Sequence, residues 1–233
     1  MREYVINAVK QYKIIAIMRK VSHTDIIPAA EALYAGGIRL IEVTFNQASA
    51  TGEQSTAESI KALCDHFGDK MFIGAGTVMN VHQVETAVCA GAKYIVSPNT
   101  NLQVIKRTTE LGAVSIPGAL TPSEIVLAYE AGADFVKLFP AGEFGISYIK
   151  SICAPLNYIP ILAVGGIDEN NMKDFFEAGV SGVGIGSNIV KNTLISMRKF
   201  DELTVLAKKY TEQILGFHET KDKKILPSTP HLR

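Results

Sequence analysis

Two ionisable residues stand alone inside apolar stretches of this sequence: Lys137 in residues 134–140 and Glu42 in residues 40–44. Lysine and glutamate are rarely buried without a partner. A lysine amine whose pKa is lowered by burial can attack a carbonyl carbon and form a Schiff base. A neighbouring carboxyl can move the protons that this reaction requires. The alternatives are a lysine that snorkels to solvent from the end of a strand and a structural ion pair.

Two glycine-rich segments near the C-terminal end of the chain form a second group. Gly165 and Gly166 follow residues 161–164, and Gly186 and Ser187 follow residues 182–185. Backbone N–H groups of glycines at the start of a helix bind a phosphate without a basic side chain. The alternative is a pair of tight turns that need glycine only for their geometry. Because there are two such segments, we favour a phosphorylated or otherwise anionic ligand.

Arg19 directly follows the apolar residues 14–18 and is a third candidate. A guanidinium group binds a carboxylate through two parallel hydrogen bonds, and Thr77 could add a hydroxyl or backbone donor. The neighbouring Lys20 leaves open that Arg19 is ordinary surface charge.

Other classes of site find no support in the sequence. The five histidines are scattered without metal-ligand spacing, and no Walker loop or dinucleotide fingerprint is present, so we predict neither a metal nor a cofactor. Acidic and basic residues number 23 each, which gives no indication of nucleic acid binding. No apolar run approaches the roughly 20 residues of a membrane span.

The elements that position these residues alternate regularly. Phrases such as Ala131-Gly132-Ala133 recur between helix-like segments and short β-branched runs, as expected where a glycine ends a helix before a strand. We predict eight strands, at residues 14–18, 39–43, 72–73, 94–96, 114–116, 135–138, 161–164 and 182–185. Helices are predicted near residues 25–35, 53–66, 80–90, 101–111, 121–131, 145–153, 169–178 and 200–215.

This order predicts an α/β protein with a single (β/α)8 TIM barrel over residues 1–216. Residues 217–233 are predicted to be a polar C-terminal extension. An open doubly wound sheet is the alternative. In such barrels the active site lies at the C-terminal ends of the strands. Alternation places Leu40, Glu42 and Thr44 on one face, and if that face is the interior, Glu42 and Lys137 meet at the mouth of the barrel.

Cys64, Cys89 and Cys153 are far apart and lie in apolar or helical stretches, which predicts three buried free thiols in a reducing cytoplasm. The first residues carry charge too early for a secretory signal peptide. We therefore expect a cytoplasmic protein.

With these residues assembled, the chain resembles the 2-keto-3-deoxy-6-phosphogluconate / 4-hydroxy-2-oxoglutarate (KDPG/KHG) aldolase family of class I aldolases. The matching stretches run in family order across roughly residues 10–200. They are Ile41-Glu42-Val43-Thr44, Gly74-Ala75-Gly76-Thr77-Val78, Ile95-Val96-Ser97-Pro98-Asn99, Ile116-Pro117-Gly118, Val136-Lys137-Leu138-Phe139-Pro140-Ala141, Val164-Gly165-Gly166-Ile167 and Gly186-Ser187.

The resemblance implies roles for these positions. Lys137 would form the Schiff base with pyruvate or the keto acid, and Glu42 would act as the general acid and base. Thr77 would bind the carboxylate end, and the substrate phosphate would be held by Gly165, Gly166, Gly186 and Ser187. Pro98, Gly118 and Phe139, which lie in the matching stretches, are expected to line the substrate site. The resemblance also implies a metal-free homotrimer.

One position departs from the family pattern. Many members carry an arginine four residues after the glutamate, where this sequence has Asn46. Arg19 is placed to substitute, and the branch that acts on the galactonate epimer is similar in pairing a strand-one arginine with asparagine here. The expected reaction is reversible cleavage of the 6-phosphogluconate derivative, with 4-hydroxy-2-oxoglutarate as a second substrate. Alternatives are the 6-phosphogalactonate epimer, a phosphosugar isomerase or epimerase, and a non-catalytic sugar-phosphate binding protein.

Overall fold

A computed structural model describes the backbone of residues 1–49 and 51–225, and the side chains of these residues up to residue 216. Within this range it contains one parallel sheet with the strand order β5-β4-β3-β2-β1-β9-β8-β7-β6. The strands are β1 (Ile14–Met18), β2 (Leu40–Thr44), β3 (Phe72–Gly76), β4 (Tyr94–Val96), β5 (Val114–Ile116), β6 (Gly118–Ala119), β7 (Val136–Leu138), β8 (Ile161–Val164) and β9 (Gly182–Ile185).

The two ends of this sheet belong to one strand, and this closes the barrel. β5 pairs with β4, whereas β6, only two residues further along the chain, pairs with β7. Between them lies Pro117, which has no N–H to donate but whose carbonyl accepts a hydrogen bond of 2.8 Å from the N–H of Lys137. The nine segments are therefore eight barrel strands, and the predicted single (β/α)8 barrel is confirmed.

Helices connect the strands on the outside of the barrel. They are α1 (Arg2–Tyr12), α2 (Ile26–Ala35), α3 (Gly52–Phe67), α4 (Val81–Cys89), α5 (Leu102–Glu110), α6 (Pro122–Glu130), α7 (Ala141–Cys153), α8 (Met172–Glu177), α9 (Asn192–Ser196) and α10 (Phe200–Ile225). A 3₁₀ turn at Gly68–Lys70 follows α3. The start of α6 carries a capping box between Thr121 and Glu124, which fixes where the chain turns from β6 into the helix.

Alternation along the strands divides the core into two layers. Inward-facing side chains such as Leu40, Tyr94 and Phe135 form the barrel interior, and outward-facing ones such as Ile41 and Ile95 pack beneath the helices. Helix α1 was not predicted. Its buried face packs into the interior cluster and so covers the N-terminal end of the barrel, opposite the strand ends that carry the polar residues.

The helices differ from the sequence prediction in three further places. Helix α7 begins at Ala141, four residues before its predicted start, although Gly145 interrupts it with φ 72° and ψ 170°. The short α9 was not predicted. Helix α10 continues to Ile225, ten residues past its predicted end and into the predicted C-terminal extension. Residues 226–233 of that extension lie outside the described residues.

Candidate active site

Glu42 points into the barrel from the middle of β2. Its side chain is 3% exposed, and its neighbours in register are Ile17 on β1 and Gly74 on β3. The carboxyl group fills space beside Gly76, where a Cβ atom would collide with it. An alanine at position 76 would therefore require the Glu42 side chain to move.

Lys137 is the middle residue of β7 and is 5% exposed. It pairs in register with Gly118 on β6 and Leu162 on β8. Its ammonium nitrogen, Nζ, lies 4.8 Å from the centre of the Phe139 ring, two residues along the same chain segment. Among the described side chains, none makes a hydrogen bond or an ion pair with either Lys137 or Glu42. In the described part of the chain, the Lys137 side chain therefore does not extend to solvent, and it forms no direct ion pair with Glu42.

Burial shifts the pKa values of the two groups in opposite directions. Burial raises the pKa of Glu42, against the opposing charges of Lys137 and Arg19. Burial lowers the pKa of Lys137; Arg19 lowers it further and Glu42 opposes the shift. Both shifts help attack on a carbonyl, because an amine with a lowered pKa is more readily a free nucleophile and a carboxyl with a raised pKa more readily gives a proton to the oxygen.

Arg19 follows β1 at the mouth of the barrel and is exposed. It lines a pocket of about 390 Å³ between the segment after β1 and the start of α3, and Asn46 lines the same pocket. The Asn46 side chain accepts a hydrogen bond of 3.2 Å from the backbone N–H of Ala48. The structure therefore brings Arg19 and Asn46 together, with Arg19 close enough to influence both Glu42 and Lys137.

Thr77 follows β3 and has a left-handed backbone conformation, with φ 57°. Such a conformation in a threonine requires support from its surroundings. The side chain of Gln47 donates a hydrogen bond of 2.7 Å to the Thr77 carbonyl, and the buried Gln83 donates one of 3.0 Å to Gln47. Neither glutamine was singled out from the sequence, because a glutamine in a loop or a helix carries no signal of such a contact.

The two glycine-rich segments lie in one pocket of about 330 Å³, as the sequence suggested. Its walls include Gly165, Gly166, Gly186 and Ser187, together with Arg19, Lys20 and Phe139. Gly165 and Gly166 have φ of 94° and 73°, conformations open to glycine but costly for other residues. Phe139 belongs both to the wall of this pocket and to the surroundings of the Lys137 amine.

Pro98, just after β4, and Gly118, the first residue of β6, approach each other closely. A Cβ on Gly118 would collide with the Pro98 backbone, and the Thr100 hydroxyl donates a hydrogen bond of 2.8 Å to the Gly118 carbonyl. Since Gly118 is the register partner of Lys137, this close contact shapes the wall beside the amine.

Two expectations outside the site can be compared with the structure. Cys153 is buried and Cys64 half-buried, but Cys89 is exposed, so the prediction of three buried thiols is wrong for Cys89, which ends α4 on its solvent side. None of the helices in the described part of the chain has the length and apolar character that a bilayer crossing requires. Within the same residues, no three His, Cys, Asp or Glu side chains gather where a metal ion could be held.

Comparison with known proteins gives a consistent result. The family model described as KDPG and KHG aldolase matches residues 5–206. The chain is 35% identical over 202 residues to the 2-dehydro-3-deoxy-6-phosphogalactonate aldolase of Escherichia coli K12, covering 86% of this chain and 96% of that protein. It is 33% identical over 214 residues to the 2-dehydro-3-deoxy-phosphogluconate aldolase of Treponema pallidum, covering 91% and 98%.

Among solved structures, the fold is similar to that of the KDPG aldolase of Legionella pneumophila, in which pyruvate was captured as a covalent carbinolamine intermediate. The TM-score is 0.78 at 29% sequence identity, over 87% of this chain and 96% of the other.

Proposed function

The chain belongs to the KDPG and KHG aldolase family, and from this premise we propose that it reversibly cleaves 2-dehydro-3-deoxy-6-phosphogluconate to pyruvate and D-glyceraldehyde 3-phosphate through a Schiff base. That the protein is an aldolase, and hence a lyase acting on small keto acids, follows from the family. The substrate and the residue roles are the proposal. The observation that carries it is the buried Lys137 amine facing the same barrel interior as Glu42.

In the proposed reaction the Lys137 amine adds to the C2 carbonyl of the substrate. Glu42 protonates the oxygen, and loss of water leaves a protonated imine. Glu42, now a carboxylate, takes the proton from the C4 hydroxyl. The C3–C4 bond breaks, its electron pair passes to the protonated imine to form an enamine, and the aldehyde leaves. Glu42 protonates C3 of the enamine, and hydrolysis releases pyruvate and restores the amine. Each proton is returned, so the reaction needs no oxidant or reductant.

The two ends of the substrate would be held by different parts of the mouth. The pocket with Gly165, Gly166, Gly186 and Ser187 suits the phosphate, and its separation from Lys137 by Phe139 fits a phosphate several bonds from C2. The carboxylate end would lie near Thr77 and Arg19, because a guanidinium at the mouth can form two hydrogen bonds to it.

A second candidate substrate is the 6-phosphogalactonate epimer, which differs in configuration at C4. It is favoured by the shared position of Arg19 and Asn46 in one pocket and by the similarity to the galactonate enzyme of E. coli. Cleavage of 4-hydroxy-2-oxoglutarate to pyruvate and glyoxylate is a further expected activity. The ratio of kcat/KM for the gluconate and galactonate epimers decides between the first two candidates.

The chemistry itself is tested by trapping. Sodium borohydride in the presence of pyruvate should reduce the imine and leave a pyruvyl-derived mass on the peptide that contains Lys137. Lys137→Arg, which retains the charge but cannot form the imine, should lose trapping and should lose more than about 10⁴-fold in kcat. Trapping on another lysine would show that Lys137 is not the nucleophile. Appreciable activity of Lys137→Arg would instead support an isomerase or epimerase in which the lysine acts only through its charge.

The proposal also covers the oligomeric state and the cellular location. The family resemblance supports a homotrimer, for which light scattering should give three times the 25.2 kDa chain mass. The free state of Cys64, Cys89 and Cys153 among the described residues supports a reducing compartment, and we infer a cytoplasmic location. Fractionation of the native host, with the protein detected in the cytoplasmic fraction, tests this.

A further inference from the structure

Helix α10 is seated firmly on α2 at the outside of the barrel. The hydroxyl of Thr204 donates a hydrogen bond of 3.0 Å to the carbonyl of Ala32, and that of Thr211 donates one of 2.7 Å to the carbonyl of Gly36. The backbones approach so closely that a Cβ on Gly36 would collide with Ala207. These contacts fix the position of α10 against α2, and the residues on its other side are held in place with it.

The other side of α10 contacts both segments that form the proposed phosphate pocket. Tyr210 is fully buried, and its hydroxyl donates a hydrogen bond of 2.7 Å to the Glu169 carboxylate, in the segment after β8. The same hydroxyl lies 3.4 Å from the carbonyl of Asn188, in the segment after β9. Gln213, one turn further along α10, donates a hydrogen bond of 2.9 Å to the Glu169 backbone carbonyl.

The two segments are also joined to each other and within themselves. The side chain of Asn188 donates a hydrogen bond of 2.7 Å to the carbonyl of Ile167, which connects the segment after β9 to that after β8. The side chain of Asn171 donates one of 2.9 Å to the carbonyl of Gly166. Carbonyls of the glycine-rich segment after β8 are thus held by two asparagine side chains.

We propose that Tyr210 is a positioning residue for phosphate recognition: its bridge from α10 to Glu169 and Asn188 sets the spacing of the two glycine-rich segments. The inference rests on the proposed function, since it assigns a support to the phosphate pocket named there. Tyr210 does not touch the substrate. Its influence reaches the ligand only through the segments that contain Gly166 and Ser187.

The acidic partner suits this role. Glu169 is half-buried, and the hydrogen bond from Tyr210 lowers the pKa of its carboxyl, so that it is a strong acceptor at neutral pH. The same contact and burial raise the pKa of Tyr210, which keeps its proton and remains the donor. A hydrogen bond with a charged acceptor contributes more than one between neutral groups, and the bridge is therefore expected to hold its geometry.

Steady-state kinetics with a phosphorylated and an unphosphorylated substrate of the same enzyme tests the proposal. For Tyr210→Phe we expect KM for the 6-phosphogluconate derivative to rise on the order of tenfold, with kcat and the KM for 4-hydroxy-2-oxoglutarate close to wild type. Inhibition by inorganic phosphate should weaken by a similar factor. An unchanged ratio of the two KM values, or an equal rise in both, would overturn the proposal.

Two further variants cover the case in which Tyr210→Phe fails to fold. Glu169→Ala removes the acceptor from the solvent side without leaving a cavity in the core, and it should raise KM for the phosphorylated substrate in the same way. Glu169→Gln retains an oxygen that accepts from Tyr210 and should resemble wild type. If Glu169→Ala behaves like Glu169→Gln, the bridge does not position the pocket.

The control is Thr204→Val, which removes a hydroxyl from the same helix on the side that faces α2. It should lower thermal stability without changing the preference for the phosphorylated substrate. If that preference does change, any loosening of α10 weakens phosphate recognition, and Tyr210 has no specific role. If wild-type enzyme itself shows no preference for the phosphorylated substrate and no inhibition by phosphate, the phosphate assignment in the proposed function fails. That outcome is distinct from a wild-type preference that survives in Tyr210→Phe.

Discussion

The carboxyl group of Glu42 lies in the space that a side chain on Gly76 would occupy. The two residues are on neighbouring strands, and Gly76 is at the end of β3, where the barrel opens. The position of the Glu42 carboxyl, the acid of the proposed reaction, thus depends on Gly76 having no side chain.

Gly76→Ala is expected to displace the Glu42 carboxyl and lower kcat by about 10²–10⁴-fold, the range associated with loss of a general acid or base. The measurement is kcat for cleavage, with circular dichroism to confirm folding. Gly216→Ala, in the outer helix α10, is the control. Wild-type kcat in Gly76→Ala would show that the carboxyl can act from another position.

Glu42→Gln separates proton transfer from imine formation. The amide keeps the size of the side chain but cannot exchange a proton, so kcat should fall by about 10²–10⁴-fold. Borohydride with pyruvate should still label Lys137, because the nucleophile is intact, although more slowly. Complete loss of labelling would mean that Glu42 is needed to hold Lys137 in place.

The pH dependence of imine formation follows from the pKa shifts. Burial lowers the pKa of Lys137 from its ordinary 10.5, so the free amine accumulates at lower pH than in an exposed lysine. The rate of borohydride trapping should rise with pH and reach its plateau at a lower pH than expected for a lysine with a pKa of 10.5. Since the charge of Glu42 opposes this lowering of the pKa of Lys137, Glu42→Gln should move the rise to still lower pH. A rise that moves upward would contradict the electrostatic account.

Many family members carry an arginine at the position of Asn46, and Arg19 is predicted to take over its role. Arg19→Ala should raise KM for pyruvate in the synthetic direction by about 10- to 100-fold, the loss expected for hydrogen bonds between charged groups. Asn46→Arg in the Arg19→Ala background should recover part of this loss, because the two side chains line the same pocket. Arg107→Ala, whose ion pairs are with Glu85 and Glu110 on the outer helices, is the control. An unchanged KM in Arg19→Ala would assign the carboxylate to Thr77 alone.

The site is expected to cost stability. A carboxyl whose pKa is raised on folding stabilises the folded state below its unfolded pKa of 4.5, and this contribution is lost as pH rises through the folded pKa. A lysine whose pKa is lowered on folding contributes above its unfolded pKa of 10.5, and this is lost as pH falls through the folded pKa. Both contributions are therefore reduced in the window between 4.5 and 10.5.

The double variant Glu42→Gln, Lys137→Met should consequently be more stable than wild type at pH 7, by about 1–4 kcal/mol in the free energy of unfolding. Denaturant titration measures this. Lys137→Met alone should gain less, because it leaves Glu42 buried with one fewer opposing cation. A double variant less stable than wild type would mean that packing around the two side chains outweighs their charge.

The sequence predicts the barrel well because each strand is a short apolar run beside a glycine. Five of the eight predicted strands have the bounds of the structure, and Lys137 and Glu42 lie on the same interior as expected. Helix α1 was missed although Val5, Ala8 and Val9 have helical spacing, because it stands before the first strand and outside the βα repeat. The contacts of Gln47 with Gln83 and of Tyr210 with Glu169 join residues 36 and 41 positions apart, and no local sequence pattern predicts them.

The position of α1 has a consequence for the order in which the molecule can be completed. The helix precedes every strand in the chain, yet the interior cluster that receives Val5 and Val9 includes Phe135 and Leu162. During synthesis its apolar face cannot complete its packing in this cluster until β8, which contains Leu162, has left the ribosome. We therefore expect the closed end of the barrel to be among the last parts to become protected from hydrogen exchange, even though its first helix is made before everything it covers.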